Sequence, residues 1–152
     1  MTQHTGYSEE HARSIGETPP LDAWPNQFRQ RDYVLKIVVP EFTCVCPKTG
    51  QPDFGTVTIE YIPDETCVEL KSLKLYMQAY REMGIFHENI ANKVLDDFVT
   101  ACSPRKARVT MRFNPRGGIY TTVTAEYPYS DPGTGELPVS ASEPFHADHP
   151  EG

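Results

Sequence analysis

The sequence predicts an α+β fold in which a four-stranded antiparallel sheet carries two helices on one face. Three observations predict it. Apolar residues run as strand-like stretches up to residue 63, step by three and four between residues 68 and 102, and alternate at period two again after residue 106. A hairpin, a helix pair and a second hairpin follow in that order.

Residues 33–46 (YVLKIVVPEFTCVC) are rich in β-branched and aromatic side chains and read as the first strand. Pro40 marks a bulge or an edge within it, because proline cannot donate to a ladder. PKTGQPD then supplies turn chemistry. In GTVTIEYIP, Val57, Ile59 and Tyr61 alternate with Thr56, Thr58 and Glu60, which gives a second strand with one wet face. Over 68–83 the period changes: Val68, Leu73, Tyr76, Met77, Tyr80 and Met83 form a helical stripe, and Gly84 ends it. A second helix spans 87–102, where Ile90, Val94, Phe98 and Cys102 step by four and Pro104 closes the run. Ala107, Val109, Met111 and Phe113 alternate, NPRGG makes a hairpin loop, and Ile119, Thr121, Val123, Ala125 and Tyr127 complete the sheet. Such a sheet has two open edges, and closure with neighbouring copies into a barrel covers them, so a homo-oligomer is expected.

A chain of 152 residues builds one core of ordinary size and leaves no room for separate cofactor and substrate lobes. The net charge of −7 is unevenly spread. Residues 1–28 carry one Arg and four acids, and residues 129–152 carry five acids and neither Lys nor Arg. Residues 29–128 hold 13 basic and 12 acidic side chains and are close to neutral. Eight of the 14 prolines lie outside 29–127, a composition for flexible ends. The expected organisation is a flexible acidic tail over 1–28, the working domain over 29–128 and a Pro-rich acidic tail over 129–152. No apolar run approaches a membrane span and the first residues lack the pattern of an export signal, so a soluble cytoplasmic protein is expected. Cys44, Cys46, Cys67 and Cys102 form no CxxC or paired Cys/His spacing, and four free thiols and no metal are the expectation. Among five histidines only His87 lies in the domain. A near-neutral domain with acidic tails lacks the basic footprint of a nucleic-acid binder.

Several positions admit both a structural and a chemical reading. Cys46 enters CPKTGQPD either as a small buried apolar residue or as a thiolate nucleophile in an electropositive setting that Lys48 helps supply. The reversing turn can bring Asp53 back toward the thiol as an acid or base, or Asp53 simply caps the turn. His87 and Glu88 sit in the first turn of a helix, where an acid complements the dipole. The two oxygens of Glu88 also match a guanine-type edge, with a ring N–H beside an exocyclic amine, and Phe86 is placed to stack on a base. Lys71 and Lys74 share a helix face, as a solvated pair or as phosphate contacts. Arg116 is a solvated loop residue or an anion contact.

Taken together, CPKTGQPDFGT, ELKSLKLYMQAYR, FHENI and NPRGG resemble, in order over residues 32–126, the NADPH-dependent 7-cyano-7-deazaguanine reductases, the nitrile reductases of queuosine biosynthesis in tRNA modification. The resemblance implies the tunnelling fold (ββααββ), with sheets of several subunits joined into a barrel and active sites between subunits. It implies Cys46 as nucleophile and Asp53 as proton donor. His87 and Glu88 become the pair that holds the base, with Phe86 beside them. Val68, Glu69 and Leu70 border the substrate, and Lys71, Ser72, Lys74 and Arg116 are cofactor candidates. Many members carry Ser after the signature Glu where this chain has Leu70, which leaves only a backbone contact there. The short, single-domain type implies two stacked pentamers.

The chemistry this implies is reduction of the nitrile of 7-cyano-7-deazaguanine to 7-aminomethyl-7-deazaguanine, with two NADPH consumed per turnover. A nitrile carbon is a poor hydride acceptor, and thiolate addition converts it to a thioimide, a better electrophile. Two other readings stay in view. A zinc-dependent cyclohydrolase of the same fold needs Cys and His ligands, which a single domain histidine does not supply. A non-catalytic oligomeric binding module would show salt-dependent RNA retention.

Overall fold

Pro40 decides where the first long strand bends. In the computed structural model, which describes residues 6–13 and 16–133, strand β2 (Leu35–Val45) pairs antiparallel with β3 (Pro52–Ile62). The register slips between Val39 and Phe42, so one extra residue on β2 opposes β3 where proline cannot donate. β3 pairs with β5 (Lys106–Phe113) and β5 with β6 (Thr122–Tyr127), giving one antiparallel sheet in the order β2-β3-β5-β6.

Helix α2 (Leu70–Gln78) packs toward β2, and α3 (His87–Cys102) lies across β5 and β6. The core between sheet and helices is built from Val57, Ile59, Tyr61, Val109 and Met111 on the strands and Ile90, Val94 and Phe98 on α3, all buried. Tyr61 meets Phe98 edge-on at 4.7 Å, and its hydroxyl accepts the N–H of Val68 at 3.1 Å, so the one polar atom of that buried ring is satisfied.

Four differences from the expected elements have local causes. β3 begins at Pro52 rather than at residue 55, because the N–H of Gly50 closes on the Cys46 carbonyl and the N–H of Cys46 on the Gln51 carbonyl, both at 2.9 Å. Pairing therefore resumes at once, and Asp53 lies on the ladder opposite Cys44 instead of in a turn. The helix expected over 68–83 is confined to α2. Val68 belongs to the short strand β4 (Thr66–Val68), and after Gln78 the N–H groups of Tyr80, Arg81 and Met83 bond three residues back. These tight turns keep Tyr80 and Met83 buried, which is why the helical spacing outruns the helix. β6 begins at Thr122, leaving Ile119 and Tyr120 exposed in the loop before it. The segment before residue 29, expected as a tail, contributes strand β1 (Ala23–Pro25), which pairs with β4. It also carries a short helix, α1 (Glu9–Ala12). Of the C-terminal tail, residues 134–152 lie outside the described residues.

Gly55 sits where β3 and β5 approach most closely; a Cβ there would stand 2.5 Å from the Arg112 carbonyl oxygen and 3.1 Å from the Phe113 Cα. Both are backbone atoms in the middle of a ladder and cannot swing aside. Gly55→Ala is expected to cost about 1–3 kcal/mol of stability through overpacking, read as a lower denaturation midpoint at unchanged slope.

Candidate active site

The end of β2 is the point on which the site converges. The Val45 N–H donates to the Met83 carbonyl and the Ile85 N–H to the Val45 carbonyl, both at 3.1 Å, so residues 83–85 run beside β2. Gly84, read from the sequence as a helix stop, serves this contact instead: a Cβ there would lie 3.1 Å from the Pro47 Cα. The bridge delivers Phe86 and the first turn of α3 next to Cys46. Opposite, the Arg116 and Ile119 backbones bond reciprocally at 2.8 and 3.1 Å around Gly117 (φ +59°) and Gly118 (φ +79°). Two successive positive φ angles are what this tight hairpin turn requires, and PRGG supplies the glycines for it. The turn places Arg116 at the mouth. Cys46, Pro47, Asp53, Phe86, His87, Glu88 and Arg116 are thereby gathered around one cavity of about 350 Å³, with Ile85 and Ile119 completing its wall.

Asp53 is the buried charged group of this cavity. Its Oδ2 lies 3.2 Å from His87 Nε2, and its Oδ1 accepts from Arg116 Nη1. Arg116 Nη2 donates in turn to Gln51 Oε1 at 2.7 Å. The carboxylate holds the Arg116 guanidinium above its usual range through this hydrogen bond and the attraction of opposite charges. The His87 ring lies flat on Phe113, with centroids 3.5 Å apart and planes 7° apart, so its orientation is set from below by the sheet.

The thiols of one strand end differ sharply. Cys44 is fully buried in the core, and burial, then the charges of Asp53 and Cys46, push its thiol up to about 12. Cys46 is half-buried one residue past the strand. Burial pushes its thiol up too. The hydroxyl and N–H of Thr49, the N–H of Lys48 and the hydroxyl of Tyr7 together outweigh that, and the thiol ends below its ordinary range. The loop thus favours thiolate mainly through hydrogen-bond donors. The Lys48 ammonium stands over the Tyr7 ring, 4.6 Å from its centroid.

The signature stretch lies elsewhere on the chain. None of Val68, Glu69, Leu70, Lys71, Ser72 and Lys74 lines the Cys46 cavity. Glu69 caps α2, its carboxylate accepting the N–H groups of Lys71 at 2.8 Å and Ser72 at 2.7 Å, which hold it below the usual carboxylate range. Ser72 is buried, and its hydroxyl bonds the Glu69 carbonyl and the Asp22 N–H. Lys71, Lys74 and Leu70 are exposed on α2. Lys74 and Arg81 border a groove of about 300 Å³ between α2 and residues 37–43, whose wall includes Val38, Pro40 and Phe42. Cations at the rim of an apolar groove suit the phosphates and base of a dinucleotide. Arg116, grouped with the cofactor candidates from the sequence, stands instead on Asp53 at the other cavity. Among the described residues, no three His, Cys, Asp or Glu side chains gather as a metal site.

Sequence reasoning missed Tyr7 and the role of Phe113. Phe113 was legible only as an inward position of an alternating strand. The signal near Tyr7 was Ser8 three residues before His11, which forms a capping box on α1.

The model of the QueF-like protein family matches residues 52–131, more than half of the chain. The chain belongs to the QueF-like family. An Elusimicrobium minutum protein named NADPH-dependent 7-cyano-7-deazaguanine reductase is 57% identical to it over 124 residues, covering 80% of this chain and 93% of the relative. A Nitrosococcus oceani protein of the same name is 59% identical over 107 residues, covering 70% and 83%. The QueF-like architecture also appears in a solved structure, the archaeosine synthase QueF-Like in the apo form, with a TM-score of 0.57 at 27% identity over 61% of this chain and 91% of that one. Of the QueF-like match, residues 52–131 include Asp53, His87, Glu88 and Arg116, while Cys46 lies just before it.

Proposed function

We propose that this QueF-like chain is an NADPH-dependent reductase that converts the nitrile of 7-cyano-7-deazaguanine to the amine of 7-aminomethyl-7-deazaguanine, a step toward queuosine. The observation that carries the reading is a half-buried thiol favoured as thiolate in one cavity with a buried carboxyl, in a family whose relatives bear that name. Glu88, exposed at the first turn of α3, takes the guanine-type edge, and Phe86 stacks on the ring.

The Cys46 sulfur adds to the nitrile carbon: the thiol proton passes to Asp53, a C–S bond forms, one C–N π bond breaks, and the nitrogen takes that proton from Asp53. The carboxylate left behind is the form that the Arg116 guanidinium and the His87 ring are placed to hold. Lys71 and Lys74 would hold NADPH, which when bound would supply the hydride of each of two reductions. Collapse of the first tetrahedral product breaks the C–S bond, returns the thiolate and leaves an imine in the cavity until the second reduction. Exclusion of water protects that imine. Copies of the chain joined edge to edge through β2 and β6, as two stacked pentamers in the cytoplasm, bring the α2 lysines of one subunit to the Cys46 cavity of another. The separation of the two groups on a single chain supports this assembly.

Incubation with 7-cyano-7-deazaguanine without NADPH, followed by intact mass, tests the reading. One substrate mass is expected to add to the protein and to be lost in Cys46→Ala. A protein that gains no mass, or an adduct that survives the substitution, refutes it.

A further inference from the structure

The segment ahead of the domain reaches the reacting atom. Tyr7 is exposed at its outer edge, yet its ring packs against Phe86 with centroids 5.7 Å apart and against His11 at 5.8 Å, beneath the Lys48 ammonium. Its hydroxyl hydrogen-bonds the Cys46 sulfur. The segment is anchored beside the site, since Asn89 Nδ2 of α3 donates to the Ala12 carbonyl at 2.6 Å. Gly6 turns the chain here with φ +71°, and a Cβ on it would stand 2.7 Å from Lys48 Nζ.

We propose that Tyr7 is a further catalytic residue, whose hydroxyl donates a hydrogen bond to the Cys46 thiolate and holds it ready for attack, with residues 6–13 as the strap that delivers it. A phenol bonded to a sulfur anion keeps its own proton more firmly, and the Tyr7 hydroxyl is accordingly raised from its usual value by that bond and by the negative charge of Cys46. Other charged or titratable groups also face the sulfur or its partner. Lys48 comes from the loop, Asp53 from β3, His87 and Glu88 from α3, Arg116 from the β5–β6 turn, Cys44 from β2 and His11 from α1. The test therefore changes Tyr7 alone and keeps its ring.

This proposal rests on the reading of Cys46 as the reacting thiol, but its test needs neither substrate nor NADPH, so it fails separately from the mass experiment. The full chain is alkylated with iodoacetamide over a range of pH, and modification of the Cys46 peptide is followed by mass spectrometry; the other three thiols are buried. Tyr7→Phe keeps the contacts with Phe86 and Lys48 and removes only the donor. Its alkylation midpoint is expected to move to higher pH, with a rate at pH 7 about three- to tenfold lower than wild type, in keeping with one hydrogen bond to a charged acceptor near the surface. Tyr7→Ala is expected to move the midpoint in the same direction. Superimposable pH profiles for wild type and Tyr7→Phe overturn the proposal. So does faster alkylation confined to Tyr7→Ala with an unmoved midpoint, which makes Tyr7 a shield and not a donor.

Discussion

Cys46→Ala is expected to lower nitrile turnover by at least about a thousandfold, since removal of an activated nucleophile takes away the covalent route altogether. NADPH oxidation in the presence of 7-cyano-7-deazaguanine measures it. The position makes the result interpretable. Cys46 stands half-buried past the end of β2 and outside the core cluster, so loss of its sulfur leaves the packing of β2 against α2 in place. Cys44, two residues earlier, is the matched control. It is fully buried and its thiol is held neutral, so Cys44→Ala opens a small core cavity whose cost falls on the melting temperature and not on thiolate chemistry. If Cys46→Ala keeps more than a tenth of wild-type turnover, the sulfur is not the nucleophile.

The same pair of residues shows how far a sequence can be read. Period-two and helical spacing placed both hairpins, and the helix over 87–102 matches α3, because these elements bury one continuous stripe against one layer. Helix and strand ends were less legible where a different local bond wins. The Glu69 cap starts α2 two residues after the expected start, and turns bonded three residues back prolong its apolar stripe beyond its end. Spacing also could not separate Cys44 from Cys46. Alternation puts them on one face, but the strand stops between them, and a donor-rich loop surrounds only the second. The motifs FHENI and NPRGG were visible as segments. Their meeting at Asp53 was not, because it depends on a backbone bridge between Val45 and Gly84 and on a tight turn nearly thirty residues beyond α3's start, both long-range contacts. The strap bearing Tyr7 has no apolar period at all, and its charge made it read as a tail.

Asp53→Asn is the change that separates acid chemistry from geometry. An asparagine has nearly the same shape, and its amide oxygen still accepts from Arg116. It cannot deliver a carboxylic proton to the nitrile nitrogen. Turnover is expected to fall about 10²- to 10⁴-fold, the usual contribution of a positioned general acid, while the KM for the base stays close to wild type because Glu88 and Phe86 are untouched. Arg116 loses an ion pair but keeps a neutral acceptor, and its side chain, 47% exposed, stays within reach of water, so the fold is expected to survive where a fully buried pair would not. His87 keeps its seat on Phe113. The adduct experiment adds a second axis. Without its proton donor, the thiolate and nitrile reach the thioimide slowly, so the mass gain seen within minutes for wild type is expected to be delayed by the same factor as turnover. Wild-type kinetics in Asp53→Asn remove Asp53 from the proton path. A slow turnover with an adduct formed at the wild-type rate places its role after the sulfur has added, in the collapse that releases Cys46.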